Sequence, residues 1–118
     1  MDASANPTPR PLTPATFHIL LSVSERSAHG YEIKRMVEER TGGAVLLGAG
    51  TLYAGIRRME GDGLIRETEA PEGDGDVEPG SRWRFYGITP HGRRVLAAEI
   101  DRLESDLRAA RAIVRRPA

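Results

Sequence analysis

The sequence predicts a mainly α-helical fold with one small β-hairpin. Three segments between residues 12 and 61 carry apolar stripes at helical spacing, two alternating segments flank an acidic loop, and a regular apolar seam runs along the last helix. The predicted order is therefore helix, helix, short strand, helix, strand, loop, strand and a long helix. This is the order of a winged helix-turn-helix followed by a C-terminal dimerisation helix.

Composition limits the class of protein. The 118 residues, of which 39% are hydrophobic and 29% charged, predict one globular domain. There is no cysteine, which excludes disulfides and thiolate metal sites. The chain has no apolar run near the ~18 residues of a membrane span and no signal-peptide core, so we expect no membrane association and a cytoplasmic location. The formal net charge is zero, so any nucleic-acid binding must depend on local positive charge.

The N-terminal third is predicted to hold a tail and the first helix. Residues 1–11 are rich in Pro and Ala without periodicity and predict a disordered tail. Residues 12–88 are expected to form a winged-helix domain, and 89–118 the dimerisation helix and a tail. The first helix begins with a hydroxyl cap and a proline, Thr13 and Pro14, which together favour a helix start.

The second and third helices form the predicted helix-turn-helix pair. The second, "YEIKRMVEER", ends at Gly42 and Gly43, which favour a helix C-terminus. The following Ala44 to Leu47 predicts a turn or a short buried strand. The third helix is predicted over about Gly50 to Gly61, and its apolar stripe consists of Leu52, Ile56 and Met59.

The opposite face of the third helix is small and basic. Gly55 lies inside this helix at a cost of about 1 kcal/mol against alanine. A small face allows the backbone to approach the floor of a DNA major groove, which is about 12 Å wide. In a helix-turn-helix the second helix of the pair occupies that groove. The residues of this face are Thr51, Tyr53, Ala54, Gly55, Arg57 and Arg58.

The hairpin is predicted from "LIRETEA" and "RWRFYGI". Trp83, at an alternating position, is predicted to anchor the hairpin by packing on the core, with a platform for a ligand as the less favoured alternative. The loop between the strands carries five acids and no basic residue within ten positions, and carboxylates near phosphates are repelled. We therefore expect this tip to stay out of DNA. The acids are Glu69, Glu72, Asp74, Asp76 and Glu78.

The last helix is predicted to begin at Thr89 and Pro90 and to end near Val114. Its apolar seam has spacings of 4, 3, 4, 3 and 4 residues, as in helix-on-helix packing. One interpretation is that the seam covers its own domain's core. The interpretation we favour is dimerisation, because a helix of about 25 residues is ~37 Å long and exceeds the width of such a core. The seam is Leu96, Ile100, Leu103, Leu107, Ala110 and Val114.

Four motifs together resemble the PadR-like family of transcription regulators. They are "LTPATFHILLSVSE", "HGYEI", "GTLYAGIRRMEGDGLI" and "YGITPHGRRVL", and the resemblance extends from Leu12 to about Ala112. It implies a winged-helix domain, a dimerising C-terminal helix and a homodimeric, mostly repressing regulator that binds double-stranded DNA at an inverted repeat. The single short C-terminal helix is similar to that of the compact subgroup.

The resemblance also implies which residues face DNA. The groove helix supplies Gly50, Thr51, Tyr53, Arg57 and Arg58. The start of the second helix, His29 to Tyr31, is expected near phosphate because helix N-termini favour anions. Lys34 lies one turn further along. At the root of the hairpin, Arg82 and Arg84 are expected to reach the DNA backbone.

Other functions have weaker support in the sequence. The three histidines lie on different elements, and no motif predicts a metal site, a cofactor or an enzyme. The last helix has no aromatic residue, which argues against an aromatic effector site there but leaves an aliphatic pocket open. The alternative function is a winged-helix module that binds protein instead of DNA. Zero net charge and the acidic loop favour that alternative, whereas Arg57 and Arg58 oppose it.

Overall fold

The computed structural model describes residues 10–70 and 83–117. Within these ranges there are four helices and a three-stranded sheet, and no helix has the length and apolar character needed to cross a membrane. The mainly α fold with a small sheet, predicted from the sequence, is confirmed. In chain order the elements are α1 Pro14–Glu25, β1 Ala28–His29, α2 Gly30–Arg40, α3 Ala49–Gly61, β2 Ile65–Thr68, β3 Phe85–Ile88 and α4 Pro90–Val114.

Both predicted Thr-Pro helix starts are confirmed. The Thr13 hydroxyl accepts the backbone N–H of Thr16 at 3.1 Å, and the Thr89 hydroxyl accepts that of Gly92 at 2.9 Å. Each threonine thereby satisfies one of the N–H groups that a helix leaves unpaired at its start. At the other end of α2, Gly42 and Gly43 have φ values of 60° and 85°, the left-handed conformation that glycine adopts without strain.

The short strand lies elsewhere than predicted. β1, at Ala28–His29, pairs antiparallel with β3, which also pairs antiparallel with β2. The prediction of a short strand between the second and third helices is wrong, because residues 44–48 adopt no regular structure. Ala28, fully buried opposite Tyr86, supplies the strand instead. The two strands of the hairpin are also shorter than predicted.

One core joins α1, α2, α3 and the sheet. The apolar stripes predicted for α1, α2 and α3 are buried in it or partly buried against it, and Phe85 and Tyr86 of β3 are buried. This packing holds α3 with one stripe inward and its other face toward solvent. The inward stripe of α3 consists of Leu52, Ile56 and Met59.

The start of α4 is fastened to the turn before β2. The Thr89 N–H donates to the carbonyl of Leu64 at 3.0 Å, and the Thr89 hydroxyl donates to the carbonyl of Gly63 at 2.6 Å. Gly92 packs so closely there that a Cβ atom would lie 2.1 Å from the Leu64 oxygen. The first turn of α4 is therefore in direct contact with the backbone that leads into the sheet.

The seam of α4 divides into two parts. Leu96 is only 6% exposed and belongs to the core of its own domain, so the prediction that it lies at a dimer interface is corrected. Farther along, Leu107 is 54% and Val114 82% exposed. The interpretation that the seam covers its own domain's core therefore holds for the first turns of α4, whereas its last turns extend beyond that core.

Candidate nucleic-acid interface

The outward face of α3 carries the polar and small residues that the sequence assigned to DNA. All of them except Gly55 are exposed, and none of them contributes to the hydrophobic core. A solvent-facing stripe on the second helix of a helix-turn-helix pair is the surface that would enter a groove. The exposed residues of this stripe are Gly50, Thr51, Tyr53, Ala54, Arg57 and Arg58.

Gly55 faces a different side of α3 from the predicted one. A Cβ atom built on it would lie 3.4 Å from the Cδ1 atom of Ile19, so this side of the glycine faces α1. Gly55 is half-buried beside α1 and does not belong to the exposed outward face, and a methyl group there would make only ordinary van der Waals contact. Gly50 does, because a Cβ atom built there meets nothing within 4 Å.

The start of α3 has no side-chain cap. Its N-cap residue is Gly48, whereas α1, α2 and α4 each have a side chain that accepts a first-turn N–H. The first N–H groups of α3 remain available to an external acceptor, and the helix dipole favours a negative one.

Three arginines on this side of the molecule have no acidic partner in the described part of the chain. Within residues 10–70 and 83–117, no ion pair involves Arg57, Arg58 or Arg84. By contrast, four of the cations on or beside α1 and α2 are paired with acids: Arg26 with Glu32, Lys34 with Glu38, Arg35 with Glu39 and Arg40 with Glu25. Because the net charge is zero, DNA binding would depend on local positive charge, and these three arginines supply such charge beside α3.

Lys34 and Arg82 differ from the other predicted contacts. Lys34 is half-buried, and its ammonium group lies 2.9 Å from the Glu38 carboxylate one turn along α2. Its charge is thus partly neutralised within its own helix. Arg82 lies outside the described residues, as do residues 1–9 of the predicted tail and four of the five acids of the predicted wing tip.

The N-terminus of α2 lies against α3. A Cβ atom built on Gly30 would lie 2.8 Å from the Tyr53 hydroxyl oxygen, so the phenol ring lies across the first turn of α2. Tyr31 and Tyr53 are both exposed here. The structure therefore brings two of the predicted contact segments, the start of α2 and the outward face of α3, onto one surface.

His29 links this surface to the sheet. Its Nδ1 atom accepts the backbone N–H of Glu32 at 3.1 Å and caps α2. Its ring centroid lies 4.3 Å from that of Trp83, with the rings inclined at 44°. Trp83 is 53% exposed, so the prediction that it packs on the core is wrong. The reason is that β3 begins only at Phe85, and the alternation that would bury position 83 does not extend that far.

A concave site of about 320 Å³ opens between the start of α2, the outward face of α3 and residues 83–86. We call it the aromatic cavity. Burial raises the pKa of the Tyr86 phenol in its wall, the Glu60 carboxylate raises it further, and Arg84 opposes both. The lining residues are His29, Gly30, Tyr31, Tyr53, Ile56, Arg57, Glu60, Trp83, Arg84 and Tyr86.

Four residues of this cavity were not identified as site residues from the sequence: Ile56, Glu60, Trp83 and Tyr86. A signal existed for two of them. Glu60 is three residues after Arg57 on the same helix, and Tyr86 is two residues after Arg84, hence on the same side of an extended segment. That the side of α3 with Glu60 faces the segment with Tyr86 depends on tertiary packing, and no pattern in the sequence predicts it.

The end of α4 presents a second candidate surface. Leu107, Ala110, Val114 and the aliphatic parts of Arg111 and Arg115 surround a shallow apolar hollow of about 200 Å³. Ile113, which is outside the predicted seam, is exposed beside it. Exposed apolar groups in one patch are typical of protein–protein contact surfaces.

Comparison with known proteins relates the sequence to regulators. The model of the transcriptional regulator PadR-like family matches residues 19–98. An uncharacterized protein from Lysinibacillus sphaericus is 32% identical over 79 residues, which is 67% of this chain and 68% of that protein. An uncharacterized 37.1 kDa protein in a transposon of Streptomyces fradiae is 31% identical over 81 residues, and the match covers only 20% of that protein.

Solved structures share the fold. A PadR family transcription regulator from Clostridium difficile has a TM-score of 0.71 and 24% identity, with coverage of 86% of this chain and 99% of that one. A transcriptional regulator from Clostridium thermocellum has a TM-score of 0.70 and 24% identity, with coverage of 86% and 90%. At this level of identity the two structures support the winged-helix architecture with its C-terminal helix.

Proposed function

The chain belongs to the PadR-like family of transcriptional regulators, and from that premise we propose that it is a homodimeric, sequence-specific DNA-binding repressor of transcription. The family consists of regulators and not of enzymes. In this proposal residues 12–88 bind double-stranded DNA, residues 89–118 dimerise, and the protein acts in the cytoplasm. No cofactor is required, and any effector is unidentified.

The observation that carries the proposal is that α3 has one buried face and one exposed face. One stripe is buried, whereas the outward face combines small residues with two arginines that have no acidic partner in the described part of the chain. Arginine forms bidentate hydrogen bonds with guanine edges and with phosphates. Arg57 and Arg58 are about 100° apart around the helix, so they are suited to different partners, one a base and the other a phosphate.

The neighbouring elements support backbone contacts. The open first turn of α3, at Gly50 and Thr51, and the exposed Tyr31 and Tyr53 offer N–H and hydroxyl donors to phosphate oxygens. Arg84 lies across the aromatic cavity from α3 and extends the positive surface toward the predicted wing. Phosphate contacts of this kind fix the register of a protein on the duplex.

The exposed end of α4 supports the homodimer. Its apolar groups lie beyond the domain core, and pairing them with the same groups of a second copy would remove them from water. A two-fold dimer places two copies of α3 on the DNA, and such a dimer requires an inverted repeat. Repression then follows from occupancy, because a dimer bound at a promoter excludes other proteins from the same DNA.

Selection of bound fragments from a random DNA pool tests the function. We expect enrichment of an inverted repeat whose half-sites lie about 10 bp apart, or a multiple of that distance. The matched control is the Arg57→Ala, Arg58→Ala double variant, which should lose the enrichment. Failure of the unmodified protein to enrich any sequence would favour the alternative, a winged-helix module that binds protein.

A further inference from the structure

The end of α3 is closed by hydrogen bonds that continue into the following turn. The N–H of Leu64 donates to the carbonyl of Met59 at 2.9 Å, and the N–H of Gly63 donates to that of Glu60 at 3.0 Å. Gly63 has a φ of 75°, the left-handed conformation that this type of helix end requires. The last turn of α3 therefore fixes the positions of the Gly63 and Leu64 carbonyl groups.

Both of these carbonyls accept hydrogen bonds from Thr89. Its backbone N–H donates to the Leu64 oxygen at 3.0 Å, and its hydroxyl oxygen lies 2.6 Å from the Gly63 oxygen and 3.1 Å from that of Leu64. The hydroxyl oxygen also accepts the N–H of Gly92 in the first turn of α4 at 2.9 Å. One hydroxyl group thus caps α4 through its oxygen and binds the end of α3 through its proton. We call the bond made by this proton the helix link.

The other Thr-Pro cap shows that a helix start does not require such a link. The Thr13 hydroxyl accepts the N–H of Thr16 at 3.1 Å, as Thr89 accepts that of Gly92. Its proton, however, is donated to the Thr16 hydroxyl at 3.0 Å, within its own helix. The two caps therefore differ in what the hydroxyl proton reaches, and only that of Thr89 joins two helices.

We infer that Thr89 is a positioning residue: the helix link holds α4 in one orientation relative to α3, and this allows two copies of the chain to bind both halves of a DNA site at once. After one half-site is bound, a rigid connection between the two α3 helices presents the second at a high effective concentration, whereas a loose connection does not. The gain in DNA affinity rests on the proposed function. The rigidity of the connection does not, so the two can fail separately.

Substitutions at Thr89 can separate its cap from the helix link. Aspartate is a good N-cap acceptor, but an ionised carboxylate has no proton to donate to the Gly63 carbonyl. Thr89→Asp therefore keeps the cap and removes the link, whereas Thr89→Ser keeps both. Thr13→Asp is the matched control, because it adds the same charge at an equivalent cap that joins no second helix.

The first measurement requires no DNA. The chain has no cysteine, so cysteines introduced at two exposed positions, Ala54 on α3 and Ala109 on α4, can carry spin labels. Labelled chain diluted with an excess of unlabelled chain gives the distance between the two labels within one chain. We expect a clearly wider distribution of this distance in Thr89→Asp than in the parent, in Thr89→Ser and in Thr13→Asp.

The second measurement compares two DNA fragments. One carries the inverted repeat selected from the random pool, and the other has one of its half-sites scrambled. We expect Thr89→Asp to bind the inverted repeat roughly tenfold more weakly and the single half-site within about twofold of the parent. Thr89→Ser and Thr13→Asp should match the parent on both fragments. A general effect of charge or stability would weaken binding to both fragments, so the ratio of the two affinities isolates the positioning role.

Two results would overturn the inference. The first is an equal width of the distance distribution in Thr89→Asp and the parent. The second is an unchanged ratio of the two DNA affinities in Thr89→Asp. Circular dichroism verifies folding, and Thr89→Gly with Thr13→Gly as its control repeats both measurements without an added charge, because glycine is also tolerated at an N-cap. Absence of DNA binding by the parent would instead refute the proposed function, and the distance distribution would still test the helix link.

Discussion

The carboxylate of Glu99 accepts a hydrogen bond from the backbone N–H of Leu12 at 3.0 Å and thereby ties the segment before α1 to the middle of α4. The same carboxylate is bonded to the Arg102 guanidinium at 2.8 and 2.7 Å. The hydrogen bond from Arg102 lowers the pKa of Glu99, burial opposes this, and the Leu12 N–H lowers it further. Glu99 is 5% exposed, so it is a buried carboxylate held in its charged form by its partners.

This arrangement gives a pH-dependent prediction. Because the folded-state pKa of Glu99 is depressed, its stabilisation is present above the unfolded-state pKa and is lost as pH falls through the folded-state pKa. Glu99→Gln should therefore lower the free energy of unfolding by about 1 kcal/mol at pH 7 and by less at pH 3. Thermal unfolding at both pH values measures this, with the exposed Glu104→Gln as control. An equal loss at both pH values would contradict the charge-based account.

Gly92→Ala should destabilise the fold strongly. The added methyl group would lie 2.1 Å from the Leu64 carbonyl oxygen, which is backbone and cannot rotate away. We expect a loss on the order of 3 kcal/mol in chemical denaturation. Gly61→Ala is the matched control: nothing lies within 4 Å of the position that its methyl group would occupy, and a helical alanine should be neutral or slightly stabilising. Similar effects of the two substitutions would show that the contact is not as close as the structure has it.

Leu107→Glu should separate the proposed dimer without unfolding the domain. Leu107 is exposed in the single chain, so the fold loses little, whereas an interface would have to bury an unpaired carboxylate. We expect the dissociation constant to rise at least roughly tenfold in sedimentation or light scattering. Ala109→Glu, on the opposite side of α4, is the control and should remain dimeric. If both variants remain dimeric, the interface lies elsewhere.

Alanine substitutions of Arg57 and Arg58 should have different signatures. At the base-contacting position, we expect a cost of about 1–3 kcal/mol for the selected site and relaxed preference at one base pair in each half-site. At the phosphate-contacting position, binding should weaken equally on all sequences, and the salt dependence should fall by about one unit for each arginine removed. Binding to site and non-site DNA across a salt series distinguishes them, with Arg108→Ala as control. Unchanged binding by both variants would exclude α3 as the reading helix.

The sequence predicted those parts of the fold that local chemistry determines. The hydroxyl of Thr13 or Thr89 followed by proline specifies a helix start without help from the rest of the chain. The stripe of α3 likewise follows from helical periodicity alone. The short strand β1 does not, because two residues are too few to show alternation, and its formation depends on pairing with β3.

The other differences between prediction and structure arise where a sequence pattern continues beyond the end of the strand or core to which it belongs. The seam of α4 keeps its spacing from Leu96 to Val114, but the core that covers Leu96 ends before Leu107. Alternation around Trp83 similarly suggests a strand that in fact begins at Phe85. The aromatic cavity joins α2, α3 and β3, so only the folded chain brings its residues together.

The junction at Thr89, Gly92 and Leu64 would fix a distance within the proposed dimer. Backbone contacts fasten α4 to the turn that follows α3. In the proposed dimer, the point along α4 at which the two copies of this helix meet would therefore determine the distance between the two α3 helices. Sliding that contact by one helical turn moves it about 5.4 Å along α4, comparable to between one and two base-pair steps of roughly 3.4 Å. Operator spacing would thus be encoded far from any residue that touches a base.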